Sequence, residues 1–177
     1  MPWANGGGLT HEVIRVDESG DPGAFAWRVS VATIETDADF SALPGVDRII
    51  MPLSGGGLTL DLNGERVTIA RHRSRRFRGE DRARARDVAA PAIDLNLMWR
   101  RRPGRSGRLE TQTIPARPTI FPHSSAHRLV VLLEGTADLA GVALAVLDAV
   151  HLEPGETASI RGPGTIAVAS VRGRQQA

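Results

Sequence analysis

The clearest alternation in the chain runs from Phe25 to Ile34, with Phe25, Trp27, Val29 and Val31 on one face and Ala26, Arg28, Ser30 and Ala32 on the other. A period of two marks a strand with two different environments, and an arginine on the small-residue face sets that side apart. A second segment of this kind, Ile93 to Trp99, puts Ile93, Leu95, Leu97 and Trp99 on one face and Asp94, Asn96 and Met98 on the other, with Arg100 continuing the polar side. Shorter apolar runs at His11–Val16, Ile49–Leu53, Leu58–Leu62 and Val67–Ala70 read as further strands. Turn residues separate them, at Asp17–Gly23, Pro44-Gly45, Ser54–Gly57 and Asn63-Gly64. Arg71 to Arg86 shows no apolar period, which predicts an irregular excursion anchored by Phe77-Arg78-Gly79-Glu80.

The polar stretch Arg100–Gly107 is the best boundary, predicting an N-terminal half over 1–102 and a C-terminal half over 103–177. Strands are predicted beyond it at Leu109–Ile114, Leu129–Leu133, Leu144–Leu147, His151-Leu152, Ala158–Ile160 and Ile166–Val171. Ala137 to Val150 is rich in alanine and leucine and also fits one amphipathic helix, but Gly135 and Gly141 favour strands. Many short strands with glycine and proline turns predict an all-β barrel or sandwich.

Composition narrows the function classes. With no cysteine there is neither a disulfide framework nor thiolate chemistry, so the cytoplasm is the default compartment. No basic region followed by an apolar run opens the chain, and the most apolar window, Leu129–Val150, carries Glu134, Asp138 and Asp148, which a membrane span would not. The sequence pI near 10.7 overstates basicity: the chain has no lysine, tyrosine or cysteine, so a formal charge of only +2 persists to high pH. Charge is nevertheless uneven, since residues 71 to 108 hold thirteen arginines against four acids, net +9, leaving −7 for the rest.

Five blocks carry a family resemblance. Pro2-Trp3-Ala4-Asn5-Gly6-Gly7-Gly8, Trp27-Arg28-Val29-Ser30-Val31-Ala32, Phe40-Ser41 followed by Pro44-Gly45-Val46-Asp47-Arg48, Phe77-Arg78-Gly79-Glu80 and Asp94-Leu95-Asn96-Leu97-Met98 stand in the order and spacing of the HutD/Ves family, which this sequence resembles. The resemblance implies a bicupin, two small jelly-roll-like β-barrels in one chain. It also implies an association with histidine utilisation, in which the protein binds a small acidic metabolite of the urocanate or formiminoglutamate class and limits the pathway. The family usually has lysine at Ala4, arginine at His11, Gly-Pro at Ala38-Asp39 and aspartate at Glu80, and a leading segment before the Pro-Trp, so this chain reads as beginning at an internal Met.

In a small barrel alternate residues point inward, and inward polar groups need each other or a ligand. Arg28, Ser30, Asp94, Asn96, Met98 and Arg100 are therefore the candidate pocket residues, with Trp3, Asn5, Gly6 and Gly7 above them. A guanidinium grips a carboxylate in bidentate fashion, and glycine amides add donors. The competing reading is that Arg28 and Asp94 form an ion pair that ties two strands. Trp3 either covers the pocket or plugs the N-terminus onto the core, and Asp47, Arg48 and Glu80 read as rim charges.

Cupin metal centres use a His-x-His pair with a Glu and a further His, and none of His11, His72, His123, His127 and His151 forms that pair. No metal and no other cofactor are predicted. Only Phe77 and Trp99 interleave with the thirteen arginines and no nucleic-acid motif appears, so solvated loops are favoured over a nucleic-acid surface. No nucleophile with a base and no phosphate loop is present, so no catalytic residue is assigned. The sequence thus predicts a metal-independent regulator that binds a small carboxylate, with a metal-free, isomerase-like cupin enzyme using Asp94 as base as the alternative. Exposed barrel edges leave room for a homodimer.

Overall fold

The computed structural model describes residues 1–3, 6–18, 20–21 and 24–173. Its elements are all strands: β1 (Gly8–Asp17), β2 (Phe25–Ile34), β3 (Val46–Pro52), β4 (Leu58–Leu62), β5 (Glu65–Ile69), β6 (Arg75–Arg78), β7 (Ala83–Arg86) and β8 (Ala92–Arg100) fall in one compact unit, Met1–Pro103. The second unit, Gly104–Ala177, holds β9 (Ser106–Ile114), β10 (Thr119–Phe121), β11 (His127–Gly135), β12 (Ala137–Leu139), β13 (Val142–Leu144), β14 (Ala149–Leu152), β15 (Ala158–Arg161) and β16 (Gly164–Arg172). The all-β expectation holds, and Ala137–Val150 is strand and turn. Among the described residues no helix is long and apolar enough to cross a membrane.

In the first unit a five-stranded antiparallel sheet, β1-β2-β8-β3-β6, faces a three-stranded one, β5-β4-β7. The core between them draws Ile34, Ile50 and Phe77 from the first and Leu58, Leu60, Leu62, Ile69, Ala83 and Ala85 from the second. The second unit repeats the plan with β14-β11-β16-β9 and β10-β15-β12-β13. Its core joins Ile114, Val130, Leu132, Leu152, Ile166 and Val168 to Phe121, Leu139, Leu144 and Ile160.

Two expectations are corrected. Arg71–Arg86 is not an irregular excursion: β6 pairs with β3, and β7 pairs with β4. Phe77 and the small residues Ala83 and Ala85 supply its inward positions, a period of two that arginines between them conceal. Phe25 does not share the surroundings of Trp27, because its ring joins Val46, Met98 and Leu43. An irregularity in the β1–β2 register between Val16 and Asp17 accompanies that change.

The glycine segment doubles back on β1. Pro2 bridges Leu9, Trp3 N–H donates to Gly8 O at 2.9 Å, and the Trp3 indole donates to Thr10 Oγ1 at 2.8 Å. Gly8 itself is fixed by a close approach, since a Cβ there would sit 2.3 Å from Thr33 O on β2. Gly8→Ala must push β1 off β2, and a loss of about 1–3 kcal/mol in denaturant unfolding is expected. Gly6→Ala, where a Cβ meets open space and only the φ of +68° opposes it, should cost about 1 kcal/mol. Equal losses at both positions would show that close packing of Gly8 is not what holds the segment.

Candidate functional site

The register of the five-stranded sheet sets side chains in rows across its inner face. Arg28 on β2, Met98 on β8 and Arg48 on β3 are direct cross-strand neighbours, with Arg15 beyond Arg28 and Phe77 beyond Arg48. The next row holds Ser30, Asn96 and Ile50, and the row after it Ala32, Asp94 and Pro52. Over these rows opens a cavity of about 450 Å³ whose lining includes Trp3, Arg28, Ser30, Arg48, Asn96 and Met98.

Aromatic rings hold the two guanidinium groups in place. Arg48 is 4% exposed and lies between Phe40 and Phe77, 5.1 and 5.0 Å from the two ring centroids. Arg28 stands 4.9 Å from the Phe25 ring centroid. Trp3 tilts against Phe40 at 5.4 Å, so it serves both as a plug on the core and as cavity wall.

Their hydrogen bonds are long. Arg48 donates to Ser41 O at 3.4 Å and Asn96 Oδ1 at 3.5 Å, and Arg28 donates to the Met98 sulfur at 3.4 Å. Both Nε atoms are buried without a hydrogen-bond partner among the described residues. Neither guanidinium has an ion pair within 4.0 Å among the described residues, so the strand-tying Arg28–Asp94 pair does not form.

Burial explains the electrostatics. Asp94 is fully buried, and removal from water pushes its carboxyl up to about 7, although the Arg48 charge and the Asn96 amide that donates to Asp94 Oδ1 pull the other way. Its Oδ2 has no hydrogen-bond partner among the described residues. Desolvation lowers Arg48 to about 10, against the Asp94 charge and helped by Arg28. Arg28 is also lowered, first by burial, with Glu12 opposing and Arg15 reinforcing. With its carboxyl raised by burial, Asp94 offsets the Arg48 charge less than an ordinary aspartate would.

Of the residues singled out from sequence, the cavity brings together Trp3, Arg28, Ser30, Asn96 and Met98. Asp94 lies beneath it rather than on its wall. Gly6 and Gly7 do not line it: Gly6 is exposed, and Gly7 O accepts from Glu35 N–H at 2.9 Å. Arg100 also lies off the cavity, at the end of β8 opposite Val46. Asn5 falls outside the described residues.

Arg48 is the residue sequence reasoning misplaced. Read as a rim charge before a strand starting at Ile49, it sits inside β3 with Val46 and Ile50 on the same side. Starting the alternation at Val46 instead of Ile49 places Arg48 within the strand. Asp47, its neighbour, belongs to the opposite face and binds Arg76 at 2.7 Å and Arg101 at 3.0 Å. Glu80 accepts from Gly45 N–H at 2.8 Å and pairs with Arg101, which together hold its carboxyl down at about 2.

The HutD family model matches residues 1–169. The chain belongs to the HutD family. Among relatives of this HutD-family chain, Protein Ves of Cronobacter sakazakii is 39% identical over 101 residues, 56% of this chain and 54% of that protein. A Pseudomonas putida relative, an uncharacterized 21.2 kDa protein in the hutC 3' region, is 36% identical over 100 residues, 56% of this chain and 52% of its own length. The match thus spans about half the length of these curated relatives.

Similarity to solved structures extends through both units. HutD from Pseudomonas fluorescens SBW25, in a structure described for a formate condition, matches with a TM-score of 0.80 and 26% identity over 98% of this chain and 94% of that one. A cupin 2 conserved barrel domain protein from Leptotrichia buccalis, at 8% identity and a TM-score of 0.60, covers 94% of this chain and 89% of its own and shows the cupin-like fold alone.

Proposed function

We propose that this HutD-family chain binds a small carboxylate metabolite in the first-unit cavity and thereby regulates histidine or amino-acid catabolism in the cytoplasm. The observation that carries the reading is the Arg28–Met98–Arg48 row, two guanidinium groups with long hydrogen bonds and, among the described residues, no close ion pair, over a carboxyl pushed up to about 7. Burying cations without a counter-ion is costly, and an incoming carboxylate offsets that cost while accepting charge-assisted hydrogen bonds. The apolar remainder of the wall, Trp3, Phe40, Leu43 and Met98, suits a flat or short carbon skeleton such as urocanate or formiminoglutamate. Formate, the smallest carboxylate, is named with the related HutD structure and is a natural first probe.

The enzyme alternative needs a base that reaches the ligand. Asp94 is fully buried and off the cavity wall, which favours binding over proton abstraction.

Thermal-shift titration with urocanate, formiminoglutamate, glutamate, histidine and formate tests the proposal. A ligand at a hundred times its Kd should add about 2.7 kcal/mol of stability. Neutral amide analogues should add none, and the bound acid should be recovered unchanged after hours. Chemical conversion of the acid would establish the enzyme alternative, and no stabilisation by any of the five acids would remove support for this site.

A further inference from the structure

In the second unit the strand register gathers three donor side chains that are scattered in sequence. Arg128 pairs with Leu152 and Leu129 with His151 across β11 and β14, so continuing the register sets His127 opposite Glu153 and diagonal to His151. Val130, Leu132 and Leu152 point into the core, which leaves positions 127, 151 and 153 on the opposite face. A cupin His-x-His centre would occupy the interior, so this cluster lies where that motif does not look.

The two imidazoles stack with centroids 5.4 Å apart and planes 16° from parallel. His127 Nδ1 lies 3.2 Å from Glu153 Oε2 and 3.3 Å from His151 Nε2, and His151 Nδ1 lies 3.4 Å from Glu153 Oε1. One donor atom from each residue can be chosen so that all three lie within 4.8 Å of one another. An ion with bonds of about 2.1 Å holds its ligand atoms roughly 3.0–3.4 Å apart, so His151, which meets His127 with one ring nitrogen and Glu153 with the other, turns to bring a single nitrogen into the set.

We propose that His127, His151 and Glu153 form a binding site for a divalent transition-metal ion of the zinc class, on the face of the second unit turned away from its core. Two imidazoles and one carboxylate are borderline donors suited to zinc, cobalt or nickel rather than magnesium or calcium. The histidine side chains are 20% and 22% exposed and Glu153 is 57% exposed, so the donors are held by the sheet while water completes the coordination. Burial, opposed by Glu153 and reinforced by His151, holds His127 below the usual histidine range. The ion would pin β14, an edge strand of its sheet, to β11.

The test uses the full chain after chelator treatment, titrated with zinc by calorimetry and with cobalt by visible absorption. One ion per chain should bind with a micromolar or tighter Kd and raise the melting temperature. Glu153→Gln and His151→Gln should weaken binding at least about tenfold. His72→Ala in the first unit should leave it unchanged. Circular dichroism confirms each fold, and Glu153, being exposed, keeps the test readable should a histidine variant not fold. No uptake at micromolar free zinc, or wild-type binding retained by Glu153→Gln and His151→Gln, overturns the proposal.

Discussion

Arg28→Ala is expected to lose the ligand and keep the fold, with carboxylate affinity falling about a hundredfold or more. The side chain is half-buried and, among the described residues, its one side-chain hydrogen bond goes to the Met98 sulfur at 3.4 Å, so truncation removes little that holds strands together. A charge-assisted contact to a desolvated carboxylate is worth roughly 2–4 kcal/mol, which accounts for the loss. Arg48 provides the sharper comparison. Arg48→Ala empties the space between Phe40 and Phe77 and should lose about 2–4 kcal/mol of stability as well as the ligand. Arg48→Met refills much of that volume without a desolvated charge, so it should unfold at a higher denaturant concentration than Arg48→Ala and still fail to bind. Wild-type affinity in both Arg28→Ala and Arg48→Met would sink the anion site, whatever their stabilities.

The second large effect is on pH dependence. Asp94 ordinarily ionises near 3.8, and in the fold its carboxyl is pushed up to about 7, so the folded chain binds this proton more tightly than the unfolded one. Its contribution to stability is then fully present below pH 3.8 and is lost as pH rises through 7. The span corresponds to at most about 4 kcal/mol. Asp94→Asn should remove this component, gaining stability relative to wild type at pH 8 and losing that advantage by pH 4. Ligand binding should follow the same proton. An ionised Asp94 competes for Arg48, so carboxylate affinity should rise between pH 8 and pH 6 in the wild type and stay flat in Asp94→Asn. A wild-type stability profile parallel to that of Asp94→Asn over this range would mean that Asp94 stays ionised.

How legible the protein was in its sequence depends on side-chain size and reach. The alternation of β2 and β8 placed Arg28, Ser30, Asn96 and Met98 on one face because their neighbours Trp27, Val29, Leu95 and Leu97 are large and unambiguous. The same period in β6 and β7 is written with Phe77, Ala83 and Ala85 between arginines, and alanine carries too little hydrophobic contrast to reveal it. Arg48 was hidden by a strand start set three residues late, and the flanking aromatics Phe40 and Phe77, from a loop and an edge strand, follow no sequence period. The histidine pair failed to show for another reason. His127 and His151 are 24 residues apart and meet only through the β11–β14 register, which no local spacing reveals.

The arginine-rich strand β6 has one more consequence. It forms an outer edge of the five-stranded sheet, where unpaired backbone groups could template another chain. It is four residues long, with exposed Arg75, Arg76 and Arg78 around a single inward Phe77. A second copy of this edge would have to dock against side chains of the same charge. The arginines thus disfavour pairing between two copies of this edge.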